Sequence, residues 1–187
     1  MDSDMNSTCF SLLLKAICLA SDIHKKERRR DKDQSPYINH PVEVSKIVAE
    51  IGAIHDPKTI IAAILHDVLE SSEMNEEDLA SVFGTEIASI VQEVTDDMTL
   101  PRKIRKQLQI DHAAKLSPPA RAIKLADKIS NVQTIFHTSD EVWPVKKQKK
   151  YLSWAQKVVE QLHGTNESME TYFTDLCRKA EDYLAQR

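Results

Sequence analysis

Glycine is scarce, with three in 187 residues, so the chain is poorly supplied for the tight turns that join β-strands. Runs alternating β-branched and polar residues are scarce as well, which argues against a sheet-rich fold and favours helices throughout. The cysteines, Cys9, Cys18 and Cys177, are odd in number and form no C-x-x-C pair. That excludes a disulfide framework and a thiolate metal site, and it points to a reducing, intracellular setting. A long apolar run is also missing: FSLLLKAICLA is interrupted by Lys15, and the acidic MDSDMNST before it is unlike a basic secretory leader. No membrane partner is expected, and the protein reads as soluble and cytoplasmic. Nor is there an excess of positive charge. A net charge of −4 with a pI near 6.0 does not suggest a nucleic-acid partner, and no aromatic residues that could stack on bases accompany the basic segment 102–106.

What is present is globular: 41% apolar and 29% charged residues, enough for one well-buried core and one domain over 1–187. Its core is expected over about 8–166, with a C-terminal helix at 168–185. Phe10, Leu13, Leu14, Ile17, Cys18 and Ile23 recur at helical spacing and predict a helix from about Thr8 to Arg29. A loop, DKDQSPYINHP, follows. Pro36 biases Ser35 to extended backbone, and Pro41 suits the first position of a helix running to Ile51, with His40 at its rigid opening turn. Further helices are expected at 60–73, across NEEDLASVFG and TEIASIVQEV with Gly84 as a left-handed cap, and at 102–114. SPPARAIKLADKISNVQTIF, 147–162 and 168–185 complete an all-α bundle of about nine helices. The 102–114 helix is polar, rich in Arg, Lys and Gln, and its weak apolar face reads as a flap over a site as much as a core element.

Within IIAAILHDVLESSE, residues 60–73, His66 and Asp67 interrupt an apolar run and Glu70 follows one turn later. Burying a charged aspartate without a partner is costly, so a compensating ion or hydrogen-bond network is expected beside it. Asp127 and Asn131, four apart, project together from the later helix. His40, His66, Asp67 and Asp127 together make a donor set suited to a first-row divalent ion such as manganese, iron or zinc, with positions left for water and substrate oxygens. The basic clusters KKERRRDK, RKIRK and KKQKK, in a chain acidic elsewhere, fit a small anionic ligand.

The order His, His-Asp, Asp is that of HD-domain phosphohydrolases. YINHP, AAILHDVLE and IKLADKISN resemble the YxxHP, LHDxxED and KLADxxxN motifs of the hydrolase domain in the RelA/SpoT family. TDDMTLP and YLSWAQKVVEQLHGTN look most like its small metazoan members, and the resemblance spans about Ala16 to Asn166. It implies a single HD-domain bundle that hydrolyses guanosine 3′,5′-bis(diphosphate) or the pentaphosphate at the 3′ position, releasing pyrophosphate and leaving GDP or GTP. It also implies Mn2+ on His40, His66, Asp67 and Asp127, with no length for the synthetase domain of bifunctional members. The two acidic residues that the family uses on the attacking water correspond to Glu70 and Ser71. The serine is a departure: a hydroxyl is a poor base, so Glu70 is expected to be the principal base, with Glu73 a distant substitute and Ser71→Asp expected to raise the rate. Arg29, Arg30, Asn131, Lys147 and Tyr151 match nucleotide-contacting positions, and Arg102 and Lys106 are within reach of a 5′ diphosphate. Two alternatives keep the site: removal of the 2′ phosphate of NADPH, or nucleotide binding with catalysis weakened at Ser71.

Overall fold

A computed structural model of the protein describes the backbone of residues 2–187 and the side chains of residues 9–187. It is all-α. Among the described residues nine α-helices run in order: α1 (Asp2–Ile23), α2 (Asn39–Glu50), α3 (Pro57–Leu65), α4 (Glu76–Phe83), α5 (Thr85–Val94), α6 (Arg102–His112), α7 (Pro118–Gln133), α8 (Val145–Glu160) and α9 (Glu167–Ala185). Short 3-10 turns extend α6 over Ala113–Lys115 and α7 over Thr134–His137. Among the described residues no strand forms, apart from a single antiparallel bridge between Arg28 and Pro36.

The helices begin where the local chemistry supplies caps. Asp56 accepts from the Thr59 amide ahead of α3, with Pro57 in the first turn. Asn75 and Asp78 cap each other's amides reciprocally at α4, and Asn166 caps α9 through the Met169 amide. Helix α7 is buried on nearly every side, as a central helix must be, and packs against α2, α3, α5, α8 and α9. Leu125, Ile129 and Ile123 on α7, Ile61 and Leu65 on α3, and Leu184 and Met169 on α9 belong to one apolar cluster. Gly52 permits the close approach of α9: a Cβ there would lie 2.7 Å from the Val48 carbonyl oxygen and 2.8 Å from the Met169 sulfur.

Several element ends differ from expectation. Helix α1 stops at Ile23, not Arg29, because the basic run turns back instead. The Arg29 amide donates to the Ser35 carbonyl and the Tyr37 amide to Glu27, while Asp31 accepts from the Ser35 amide. Helix α2 opens at Asn39, so His40 lies inside its first turn and Pro41 occupies the third position. Gly84 has φ 87° but ψ 155°, an extended glycine conformation in place of the left-handed helical cap; it ends α4 and opens α5 at once. The 60–73 stretch is not one helix. Helix α3 ends at Leu65, and the Val68 amide bonds to the Leu65 carbonyl in a tighter turn.

Candidate active site

Three segments meet at the buried end of α3. Helix α2 supplies His40, 1% exposed, and the turn after α3 supplies His66, 5% exposed, with Asp67 beside it. Central helix α7 supplies Asp127. The donor atoms of His40, His66 and Asp67 all lie within 4.8 Å of one another. His40 Nε2 is 3.2 Å from Asp127 Oδ1 and 3.7 Å from Asp67 Oδ2, and the two imidazole centroids are 5.1 Å apart. The Tyr37 hydroxyl donates to Asp67 Oδ2 at 2.7 Å, and the Lys128 ammonium donates to Asp127 Oδ2 at 2.7 Å.

The donor set can be tested for its fit to a cation. His66 Nδ1 lies 2.8 Å from the Ala63 carbonyl oxygen, which only accepts, so that nitrogen carries a proton, and Nε2 carries a lone pair in the neutral ring or a second proton in the charged one. Nε2 is buried and makes no hydrogen bond, although Asp67 Oδ2 lies 3.2 Å away. An imidazole nitrogen beside two carboxylates is a site that demands positive charge, supplied by a second proton or by a cation. The same field governs protonation. Burial disfavours an imidazolium at His66, yet the charge of Asp67 outweighs it and pushes the group up to about 9. Burial would raise the Asp67 carboxyl, but His66 and then His40 hold it well below the usual carboxylate range. Asp127 is likewise held low, against burial, chiefly by Lys128 and then His40. Two imidazoles and two carboxylates suit a first-row divalent ion.

Beside this cluster opens a cavity of about 500 Å³, with Tyr37, Glu70, Lys124, Asn131 and Tyr151 among its walls. A second of about 550 Å³ continues outward, sharing Arg30, Arg102, Lys106, Trp143 and Tyr151 with the first. Lys103, Lys147 and Lys150 add to its cations, and no acidic residue lines it among the described residues.

The family model described as "HD domain" matches residues 16–156. The chain belongs to the HD-domain family. Its sequence is 40% identical to the zebrafish (Danio rerio) guanosine-3′,5′-bis(diphosphate) 3′-pyrophosphohydrolase MESH1, covering 89% of this chain and 92% of the relative. It is 39% identical to the human MESH1 enzyme, over 84% of this chain and 88% of that one. A solved structure, described as a metazoan ortholog of SpoT that hydrolyzes ppGpp and plays a role in starvation responses, superposes with a TM-score of 0.86 at 37% identity, covering 90% of this chain and 94% of that one. An HD-domain hydrolase with this donor cluster has the makings of a divalent-metal enzyme.

Around the HD cluster the remaining candidate residues separate. Glu70 lines the first cavity, and its Oε1 accepts from the Asp96 amide at 2.8 Å. Burial, and after it the charges of Asp67 and Asp96, push its carboxyl up to about 7. Ser71 is exposed and lines neither of these cavities, and Glu73 is exposed too. Arg29 borders the first cavity, but its guanidinium is spent on α7, donating to Thr134 Oγ1 at 2.6 Å and Asn131 Oδ1 at 3.3 Å. It braces the basic loop rather than offering a free cation. Arg30 faces both cavities, Asn131 donates to Asp127 Oδ1, and Lys147 reaches only the outer cavity. The Tyr151 hydroxyl is buried without a hydrogen-bond partner.

Two groups escaped the sequence reading. Asp96, within TDDMTLP, approaches Glu70 from the loop before α6 and accepts from Gln109 Nε2 at 2.9 and 2.8 Å. Its only signal was a pair of acids in a loop. Aromatic residues do accompany the basic flap, contrary to expectation, but they come from elsewhere in the chain. Tyr151 lies between Trp143 and Trp154 at ring-centroid distances of 5.3 and 5.4 Å, and the Lys106 ammonium lies 4.1 Å from the Trp154 ring centroid. Burial, then the neighbouring cations, bring Lys106 down to about 8.

Proposed function

We propose that the protein is a metal-dependent pyrophosphohydrolase of guanosine 3′,5′-bis(diphosphate), converting the tetraphosphate and pentaphosphate to GDP and GTP with release of pyrophosphate. The observation that carries this reading is the His40, His66, Asp67 and Asp127 cluster at one end of a cavity whose outer extension is walled by cations. A nucleotide bearing phosphate groups at two ends matches both halves at once. The named relatives, which carry this activity in their descriptions, support the same substrate.

His40, His66, Asp67 and Asp127 would hold the ion, and Mn2+ is the ion we assign. When bound, such an ion polarises phosphoryl oxygens and lowers the pKa of a coordinated water. Glu70 acts as the base, since a carboxyl near 7 both accepts a proton and returns it at neutral pH. Glu70 takes a proton from water, the water oxygen bonds to the phosphorus carried by the 3′ oxygen, and the 3′ O–P bond breaks. The 3′ oxygen is protonated as pyrophosphate leaves. Arg30, Arg102, Lys106 and Lys147 balance the distal phosphates, Tyr151 offers its free hydroxyl, and Asn131 orients Asp127 against the substrate.

The test is direct. The purified chain is analysed for its metal, and pyrophosphate release from guanosine tetraphosphate is followed with Mn2+, after chelation and after re-addition. Turnover that is lost and regained supports the proposal. Preference for NADPH, with orthophosphate released, would reassign the substrate, and tight nucleotide binding without turnover would overturn the enzymatic role.

A further inference from the structure

Asp127, Ser130, Asn131 and Thr134 share one face of α7, at the spacing that aligns helical side chains. Ser130 is fully buried between the HD cluster and the outer layer of α2. Its Oγ lies 2.9 Å from His40 Nδ1 and 2.6 Å from Glu43 Oε2. Glu43 sits one turn after His40 on α2, partly exposed, with Arg29 Nη2 3.9 Å from its Oε2.

A hydroxyl has one proton to give, and a carboxylate only accepts. The Ser130 proton therefore goes to Glu43, and the 2.9 Å contact is a hydrogen bond only if His40 Nδ1 donates it. The opposite arrangement would leave two oxygens 2.6 Å apart with no proton between them. Protonation at Nδ1 leaves the lone pair on His40 Nε2, the atom facing Asp127 and Asp67. In its neutral form His66 is held to the same tautomer by the Ala63 carbonyl. The two histidines are thus set by unlike means, one by rigid helix backbone and the other by a side-chain chain that ends at the surface.

We propose that Ser130 and Glu43 are positioning residues for His40: they hold its Nδ1–H tautomer and present Nε2 to the divalent cation. The proposal rests on the metal-centre reading above. Partners of ligating histidines of this kind typically change metal affinity by about 10- to 100-fold. Ser130→Ala removes the acceptor and should weaken Mn2+ binding by about that factor. Glu43→Ala frees the Ser130 proton to turn toward His40 and should weaken binding less. The double variant should bind no worse than Ser130→Ala, because the two residues act as one chain.

The experiment measures Mn2+ affinity of the metal-stripped full chain by competition with a chelating dye, with melting curves showing that each variant is folded. Long-range 1H–15N spectra of the stripped and Zn2+-loaded protein report which nitrogen of His40 bears the proton. A protonated Nδ1 in the unmutated protein, lost or mixed in Ser130→Ala along with the affinity, supports the relay. Affinities within about threefold in both single variants, or a protonated Nε2 in the unmutated protein, would overturn it. If the unmutated protein binds no divalent cation, the metal-centre reading fails instead, and the spectra of the stripped protein still decide the tautomer.

Discussion

Replacing Glu70 by glutamine separates its charge from its shape. The amide oxygen can still accept from the Asp96 N–H, so the turn after α3 keeps its anchor while the proton acceptor is lost. With a carboxyl near 7, about a tenth of Glu70 is ionised at pH 6 and about nine-tenths at pH 8. The unmutated rate should therefore climb with pH as Glu70 ionises, over a range that a cation beside Asp67 moves downward, and level off above it. In Glu70→Gln the turnover should drop by about 10²- to 10⁴-fold, with KM little changed and the acidic limb gone. Stability moves the other way. A carboxyl raised from 4.5 to about 7 binds its proton more tightly when folded, so the native state loses stability as pH rises between those values. The cost above pH 7 is at most about 3 kcal/mol, and the glutamine variant, free of it, should be the more stable protein at pH 8 and no different near pH 4. Pyrophosphate release from guanosine tetraphosphate at pH 5.5 to 8.5, with urea melts of the metal-free proteins, reads both effects. A variant within tenfold of the parent rate at pH 8, or one that keeps the acidic limb, would refute the assignment of Glu70 as base.

Three further outcomes follow from the same geometry. Chelation should lower the melting temperature, and Mn2+ at about a hundred times its dissociation constant should restore about 2.7 kcal/mol, an effect that Asp127→Ala should abolish in scanning fluorimetry. Ser71→Asp, a gain on motif grounds alone, should change turnover by less than about threefold because position 71 faces solvent; a tenfold rise would bring that side chain back into the chemistry. Gly52→Ala should destabilise the fold by about 1–3 kcal/mol in urea, through overlap with the Val48 carbonyl and Met169, while leaving metal affinity intact.

Apolar periodicity carried the helices, because a stripe such as Val44, Ile47 and Val48 has only one way to be buried. It could not mark where α3 stops. Ile60 to Leu65 is apolar on every side, and a pattern of hydrophobic residues does not register the tighter turn that begins at His66. His66 and Asp67 stood out as polar residues in an apolar run, His40 at a rigid helix entry and Asp127 on a helical face with Asn131, and the four side chains lie close together. Arg29 looked like its basic neighbours, and only the packing of its loop on α7 turns it inward. Asp96 reaches the site from the loop before α6 and Trp154 from α8, separate elements between which residue spacing carries no information about proximity.

Helix α6 has no fully buried side chain, and it roofs the cavity through polar ties: Gln109 to Asp96, the Trp154 indole N–H to the Lys106 carbonyl, and Lys128 to Gln109. Lifting it would uncover the half-buried Leu108 and Ile110 but no fully buried side chain, and each broken tie can be exchanged for one with water, so a smaller hydrophobic penalty opposes its departure than keeps the buried helices seated. Admission of a bulky, multiply charged guest can thus proceed at this one wall while the remainder of the bundle stays shut.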